Sequence, residues 1–268
     1  MAGIAEVLSL IRRFAPESAT APDFDDNVGL ILGSERGETD EVILCLDCTE
    51  NVIGEAEKAG TKLVISHHPA IFYPLKRITD SDPTGRMLLA AARAGITVYS
   101  AHTNLDFCAG GLNDHAAGLM GLRDIRPLEI VGDVPVGRVG DRREIGLAAF
   151  ADELASAFGD RHVRFIGKGN ERIKRAAVIN GGGGNISYVK KAMERGADCY
   201  VTADVPHHVA LYAAQCGFPL VIMQHYAMEA VYMTKLAETL GRAAAGRGMS
   251  VRFRVSVSEY NPAQQEVL

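Results

Sequence analysis

Short apolar segments alternate with amphipathic ones along most of the chain. Residues 41–48, 61–65 and 96–101 form mostly apolar runs, and the helical patterns between them end at Gly60 and Gly95. Short apolar runs bounded by such signals are typical of buried strands, and their alternation with helices is typical of parallel strand order. The pattern therefore predicts an α/β fold in which helices flank a largely parallel sheet.

The same order of elements occurs twice. Residues 41–102 and 176–225 each contain a strand, a turn, a helix ending in glycine, a second strand, a second such helix and a strand that ends in histidine. We predict two similar α/β domains made by internal duplication, with a metal site in the cleft between them. The predicted limits are 1–125 with 242–268 for the first domain and 126–241 for the second.

Two stretches fall outside this repeat. Residues 123–146 contain Pro127, Pro135 and several glycines, and we interpret them as an irregular crossover between the halves. Residues 250–261 alternate apolar and polar positions as a strand does, and we predict that this strand joins the first sheet.

Histidines and carboxylates follow the predicted strands at their carboxyl ends, the edge where ligands bind in open α/β sheets. They are His67, His68, His102 and Asp106 in the first half, and Asp204, His207, His208, His225 and Glu229 in the second. The last two are four residues apart in a helical pattern, so they share one helix face. Taken singly, each group is explained as readily by capping, packing or surface hydrogen bonds.

Considered together, three imidazoles and two carboxylates suit a pair of divalent metal ions. They are too few to complete the coordination of two separate ions. They are enough for two ions that share a bridging carboxylate and keep coordination positions open for water. The five candidates are His67, His68, Asp106, His225 and Glu229. Mixed nitrogen and oxygen ligands favour Zn²⁺, Fe²⁺ or Mn²⁺ over Ca²⁺ and Mg²⁺.

Other polar positions near these strand ends are candidates for further roles. His102, Asp204 and His207 remain for acid–base catalysis or for orienting the ligands. We assign them as the candidate catalytic residues.

A four-glycine turn, residues 181–184, lies between a strand and a helix. Backbone N–H groups in such a turn can cradle a phosphate, but the sequence matches no standard phosphate loop, and a tight turn explains it equally well. Asn27 lies in the acidic segment 22–33 and either turns the chain or faces a site. Gly182, Gly183 and Asn27 are the candidate cofactor-binding residues.

The composition narrows the class of protein. The chain has 268 residues, of which 47% are hydrophobic and 23% charged, with a formal net charge of −5. These values are typical of a globular protein and give no reason to expect nucleic acid or an anionic membrane as partner. The five cysteines do not have the spacing of a disulfide framework. The N-terminal residues lack the basic–apolar–small order of a signal peptide, and no apolar run is long enough to span a membrane. We therefore expect a cytoplasmic location.

Several motifs together resemble the GTP cyclohydrolase 1 type 2 homologue family. In order, they are DNVGL at 26–30, SHHPAIFYPLKRI at 66–78, AHTNLDFCAGGLND at 101–114, GGGG at 181–184, VTADVPHH at 201–208 and HYAMEA at 225–230. The resemblance covers essentially the whole chain and implies a ring-shaped homohexamer with a dinuclear metal centre. It also implies that the five candidates named above are the metal ligands.

From these residues and this resemblance, we expect a metal-dependent hydrolase with two divalent ions (Zn, Fe or Mn) per chain. Its expected substrate is a small molecule, possibly a nucleotide, because the family name implies GTP opened at its imidazole ring. The alternative is a metal-loaded ring that acts without turnover as a scaffold, metallochaperone or regulator.

Overall fold

The computed structural model describes residues 1–20 and 25–263, so residues 22–24 of the acidic segment and 264–268 of the predicted first domain lie outside it. Two compact units are present, one formed by Met1–Cys108 with Tyr232–Pro262 and the other by Ala109–Val231. Their boundaries fall at 108/109 and 231/232, compared with 125/126 and 241/242 in the division made from sequence.

The elements follow one another as short strands and helices. Up to residue 108 they are β1 (Ala2–Gly3), α1 (Ile4–Phe14), β2 (Gly29–Leu32), β3 (Glu38–Thr39), β4 (Glu41–Cys45), α2 (Glu50–Ala59), β5 (Leu63–Ser66), α3 (Pro83–Ala94), β6 (Thr97–Ser100) and α4 (Thr103–Phe107). They continue with α5 (Leu112–Leu119), β7 (Arg123–Val131), β8 (Val134–Gly146), α6 (Leu147–Phe158), β9 (Arg164–Ile166), β10 (Arg172–Val178), α7 (Ile186–Glu194), β11 (Cys199–Thr202), α8 (His207–Gln215) and β12 (Leu220–Ile222). The last are α9 (His225–Ala245) and β13 (Arg252–Val255).

The sheet of the first unit has the order β13-β4-β5-β6-β2. Strands β13, β4, β5 and β6 are parallel, and β2 pairs with β6 antiparallel. Every residue of β4, β5 and β6 is buried, which explains their nearly continuous apolar character. The predicted α/β class is confirmed, and so is the prediction that the strand near the end of the chain joins this sheet.

The sheet of the second unit has the order β7-β8-β10-β11-β12-β9. Strands β10, β11 and β12 are parallel, whereas β7, β8 and β9 pair with their neighbours antiparallel. This sheet is therefore mixed rather than largely parallel. Phe150, Leu154 and Phe158 of α6 pack in the buried core of this unit.

The interpretation of residues 123–146 as an irregular crossover is wrong, because they form the antiparallel pair β7 and β8. Pro127 is tolerated because β7 is an edge strand, where a missing N–H costs no sheet hydrogen bond on the open side. Gly140 is needed because a Cβ there would lie 2.7 Å from the carbonyl oxygen of Arg123. The prolines and glycines that indicated a loop are thus features of a bulged hairpin.

The repeated order is present in both units and extends further than the sequence indicated. The predicted copies correspond to β4-α2-β5-α3-β6 and β10-α7-β11-α8-β12. In addition, each sheet adds an antiparallel strand beside the last of these, β2 in one and β9 in the other, and each of these strands follows a helix. Within the described residues, no helix combines the length and apolarity needed to cross a membrane.

Candidate metal centre

His67 and His68 directly follow β5 and remain hydrogen-bonded to its neighbour. Their backbone N–H groups donate to the carbonyl oxygens of Cys45 and Leu46, both at 2.9 Å. The two histidines therefore extend the sheet rather than belonging to a loose loop. Their position is fixed by the strand pairing that buries β4 and β5.

The ring of His67 is buried, and one of its nitrogens contacts a backbone carbonyl. Its Nδ1 lies 2.9 Å from the carbonyl oxygen of Ala101. Because a carbonyl can only accept, Nδ1 carries a hydrogen. Nε2 of the same ring lies 3.9 Å from Oδ1 of Asp106, a buried residue of α4. Two of the three predicted ligands of the first half, His67 and Asp106, therefore lie close together.

Two aspartates that sequence reasoning did not assign hold the other histidines of this unit. Asp47 Oδ1 lies 2.8 Å from Nδ1 of His68, and Asp26 Oδ1 lies 2.7 Å from Nδ1 of His102. Asp47 was detectable in principle, because it is a polar residue just beyond the carboxyl end of β4. Asp26 was visible as part of DNVGL, but the sequence alone favoured a role in a turn over a place in a site.

Asp26 is almost completely buried, and it accepts two more hydrogen bonds from Thr103, through the backbone N–H at 3.1 Å and the hydroxyl at 2.5 Å. Burial opposes its ionisation, but the hydrogen bonds from His102 and Thr103 outweigh burial and lower the pKa of Asp26. The carboxylate therefore remains charged opposite His102.

His67, His68 and His102 form a compact cluster. Their ring centroids are 5.1, 5.3 and 5.7 Å apart. Each ring offers one nitrogen, and the three nitrogens lie within 4.8 Å of one another, as the ligands of one ion would. His102, predicted as catalytic, thus also lies in a position from which it could bind a metal.

In the second unit, His225 and Glu229 share one face of α9, as predicted from their spacing. Nε2 of His225 lies 3.0 Å from Oε2 of Glu229, and its Nδ1 lies 2.6 Å from Oδ2 of Asp204. Burial disfavours the charged ring, but the two carboxylates outweigh this and raise the pKa of His225 to about 10. The structure thus places Asp204, predicted as catalytic, as the partner that orients this ring.

Close packing explains several glycines of the four-glycine turn. Gly181 has a φ of +65°, and a Cβ there would overlap Oε1 of Glu229. A Cβ on Gly183 would meet the hydroxyls of Tyr200 and Thr202. The turn therefore lets the backbone approach the carboxylate of Glu229.

The backbone of this turn is also largely occupied. The N–H of Gly183 donates to the carbonyl oxygen of Gly181 at 2.9 Å, and the hydroxyl of Tyr200 donates to the carbonyl of Gly183 at 2.8 Å. At Gly182, by contrast, the nearest atoms to an added Cβ would be 3.9 Å away, on Asp204 and His225. Of the two predicted phosphate-binding glycines, Gly182 is the one beside the candidate metal ligands.

The remaining candidates lie apart from these pairs. Nδ2 of Asn27 donates to the carbonyl oxygen of Ile71 at 2.6 Å, so it anchors the loop that follows the two histidines. His207 and His208 are exposed in the first turn of α8. Neither enters a histidine–carboxylate pair among the described residues.

A cavity of about 550 Å³ lies beside His68 within the first unit. Its size is within the range of small-molecule sites. Residues that line it include Asp47, His68, Arg86, Met87, Glu259 and Tyr260. A molecule in this cavity would lie beside His68.

Comparison with known proteins identifies the relationship. The sequence model described as Duf34/NIF3 (NGG1p interacting factor 3) matches residues 2–262. The chain belongs to the DUF34/NIF3 family. This DUF34/NIF3 chain is 32% identical over 262 residues to a Lactococcus lactis protein named GTP cyclohydrolase 1 type 2 homolog, covering 97% of this chain and 98% of that one.

Two further relatives span nearly the same length. The Helicobacter pylori protein named GTP cyclohydrolase 1 type 2 is 31% identical over 242 residues, covering 90% of this DUF34/NIF3 chain and 92% of that protein. The crystal structure of the Staphylococcus aureus hypothetical protein SA1388 superposes with a TM-score of 0.91 at 28% identity, covering 98% of this chain and 99% of that one. The resemblance noted from the motifs is thereby confirmed.

Proposed function

We propose that this DUF34/NIF3 protein is a metal-dependent hydrolase with a dinuclear centre, acting on a nucleotide or a related small molecule. The proposed ligands are His67, His68, Asp106, His225 and Glu229. One observation carries the proposal: every histidine near the candidate centre has its Nδ1 engaged by an oxygen atom. This arrangement orients Nε2 as the ligand atom and is typical of metal-binding histidines.

The donor set fits the proposed ions. Imidazole nitrogens and carboxylate oxygens bind Zn²⁺, Fe²⁺ and Mn²⁺, and the glycine turn leaves room for the Glu229 carboxylate beside His225. When bound, such ions polarise the bond under attack and activate water. The proposal requires that the ligands of both units bind the same pair of ions.

The chain's own residues would bind the substrate and manage protons. The cavity beside His68 is the proposed binding space, because it is large enough for a small molecule and opens onto a proposed ligand. His102 is the proposed acid–base group, since Asp26 contacts its Nδ1 and fixes the orientation of the ring beside His67 and His68. The names of the relatives favour GTP as the first substrate to test.

The test combines metal content with turnover. Protein stripped by chelator and reloaded with Mn²⁺ or Zn²⁺ should hold about two ions per chain by elemental analysis and should hydrolyse GTP or a phosphoester. Turnover and metal content should fall in His68→Ala and Glu229→Ala but not in His208→Ala, the matched control outside the cluster. A single ion per chain would overturn the dinuclear centre. Two ions without turnover on any substrate class would overturn the hydrolase and favour the scaffold or metallochaperone.

We also propose that the protein assembles into a homohexamer, on the basis of the family resemblance alone. A closed ring requires extensive interfaces between copies of the chain. Light scattering at micromolar concentration should give six times the chain mass of 28.7 kDa. A stable monomer would refute the assembly without affecting the proposed chemistry.

A further inference from the structure

The C-terminal segment, residues 256–262, contacts the loop that supports His68. Within it, the carboxylate of Glu259 accepts the N–H groups of two consecutive residues, Leu46 at 3.1 Å and Asp47 at 2.5 Å. Successive backbone N–H groups of this kind form a concavity suited to an anion. Glu259 thus fills that concavity with a carboxyl group supplied by the chain itself.

Attachment of the segment to the protein does not depend on this contact. Glu55 on α2 accepts hydrogen bonds from the hydroxyl of Ser256 at 2.6 Å, the N–H of Val257 at 3.1 Å and the N–H of Ser258 at 3.0 Å. The segment therefore has its own anchor just before Glu259. The bonds made by Glu259 act instead on the loop that contains Asp47.

That loop connects directly to the candidate metal centre. The backbone N–H of Asp47 donates to Glu259, while the side chain of the same residue engages Nδ1 of His68. Burial and the nearby Asp47 carboxylate raise the pKa of Glu259. Glu259 is therefore held beside Asp47 in a position that disfavours its own ionised form. Glu259 also lines the cavity that reaches His68.

We propose that Glu259 is a positioning residue for His68. It fixes the backbone of Asp47, and Asp47 in turn fixes the imidazole at the angle from which Nε2 binds a metal ion. This inference rests on the proposed function to the extent that His68 is a metal ligand. The positioning itself is a property of the polypeptide and can be measured without metal or substrate.

The first measurement is imidazole NMR on metal-stripped, ¹⁵N-histidine-labelled protein. In Glu259→Gln, the side chain keeps its size but can accept only one of the two N–H groups. The ring signals of His68 should shift most. Those of His102, whose ring centroid lies 5.7 Å away, should shift less, and those of His225, held by Asp204, should not shift. Tyr260→Ala is the matched control, because Tyr260 lines the same cavity and is the next residue of the segment.

The second measurement is metal affinity by competition with a chelator. Loss of a group that orients a metal-binding histidine typically weakens binding 10- to 100-fold, and we expect about tenfold for Glu259→Gln. If Glu259 acts through Asp47, the double variant Glu259→Gln/Asp47→Ala should bind no more weakly than Asp47→Ala alone.

Unchanged His68 signals in Glu259→Gln would overturn the positioning role. So would equal shifts of all three histidines, or additive losses in the double variant, since both indicate a general structural effect. A selective His68 shift in a protein that shows no turnover would uphold positioning while refuting the hydrolase.

Discussion

The two α/β units have the same strand–helix order but use it differently at one position. In the first unit, His68 lies two residues after Ser66, the last residue of β5. In the second unit, Asp204 lies two residues after Thr202, the last residue of β11. The two positions correspond, because the carbonyl oxygens of Ser66 and Thr202 each accept an N–H from the residue that follows the next strand of the sheet. His68 is a proposed ligand, whereas Asp204 is hydrogen-bonded to the ring of another proposed ligand, His225. The same position in the repeated order thus holds a proposed metal-binding group in one unit and a carboxylate that supports such a group in the other.

The largest expected effect tests whether the two units bind the same ions. A ligand that binds only the folded protein, at a free concentration 1,000 times its Kd, stabilises the protein by about 4 kcal/mol. Chelation should therefore lower Tm by about 10 °C. His68→Ala and Glu229→Ala should each abolish this metal-dependent difference in calorimetry, although they lie in different units. If only one variant does so, the units bind separate ions.

The next effect compares the carboxylates that hold the histidines. The Asp26 side chain is 1% exposed and accepts three hydrogen bonds, whereas the Asp204 side chain is 62% exposed. Asp26→Ala should lower the free energy of unfolding by about 3 kcal/mol because it leaves buried donors unsatisfied. Asp204→Ala should cost less than about 1 kcal/mol. Urea titration of metal-free protein measures both, and equal losses would contradict the inferred difference in burial.

A smaller effect is expected within the second unit. Gly181→Ala should lower the free energy of unfolding by about 2 kcal/mol, because φ is +65° and the new Cβ would displace the Glu229 carboxylate. It should also reduce metal content. Gly182→Ala is the control, since its Cβ would have ordinary van der Waals room. Equal sensitivity of both positions would indicate that the turn binds a ligand rather than accommodating Glu229.

The smallest effect concerns β13, an edge strand of the first sheet, whose following segment is bound by Glu55. Burial opposes ionisation of Glu55, but hydrogen bonds from Ser256, Arg254 and neighbouring N–H groups outweigh it and lower its pKa to about 2. Its contribution is therefore complete above the unfolded pKa near 4.3 and is lost as pH falls towards 2. After allowance for solvent screening, we expect a loss on the order of 1 kcal/mol.

Hydrogen exchange can localise this loss. Amides of β13 should exchange faster at pH 3 than at pH 6, after correction for the intrinsic rate, while those of β10 in the second sheet should not. Glu55→Gln should abolish the difference. Persistence of the pH effect in that variant would assign it to another group, such as Glu41, whose pKa is also lowered, by Arg254 and Arg252 against the effect of burial.

The parts of the fold that could be predicted are those where a local pattern determines the structure. Strands β4, β5 and β6 are buried along their whole length, so continuous apolar runs revealed them. The pair β7 and β8 was missed because Pro127 and several glycines are ordinary loop signals. The sheet accommodates these residues because β7 is an edge strand and because the glycines allow close packing. Both conditions depend on the tertiary structure.

The same limit applies to the candidate site. Histidines at strand ends were identifiable because the chemistry is local and the repeat aligned them. Asp47 could have been identified by the same rule, because it lies just beyond the carboxyl end of β4. Its contact with Glu259 could not be foreseen, since the two residues are 212 positions apart in the sequence. The His225–Glu229 pair was predictable because its spacing is local, whereas the pairs that join different elements depend on which elements become neighbours, and a sequence pattern does not specify that.

Strand β13 also determines when the first sheet can be completed during translation. Its pairing with β4 joins residues such as Arg252 and Glu41, which are 211 positions apart. At typical synthesis rates, the ribosome needs roughly 10 to 40 seconds to cover that distance. All strands of the second sheet emerge in the meantime, so that sheet can fold first. Until β13 is synthesised, the edge of β4 with which it will pair stays open in the nascent chain. Aggregation begins on such edges, and molecular chaperones act on them.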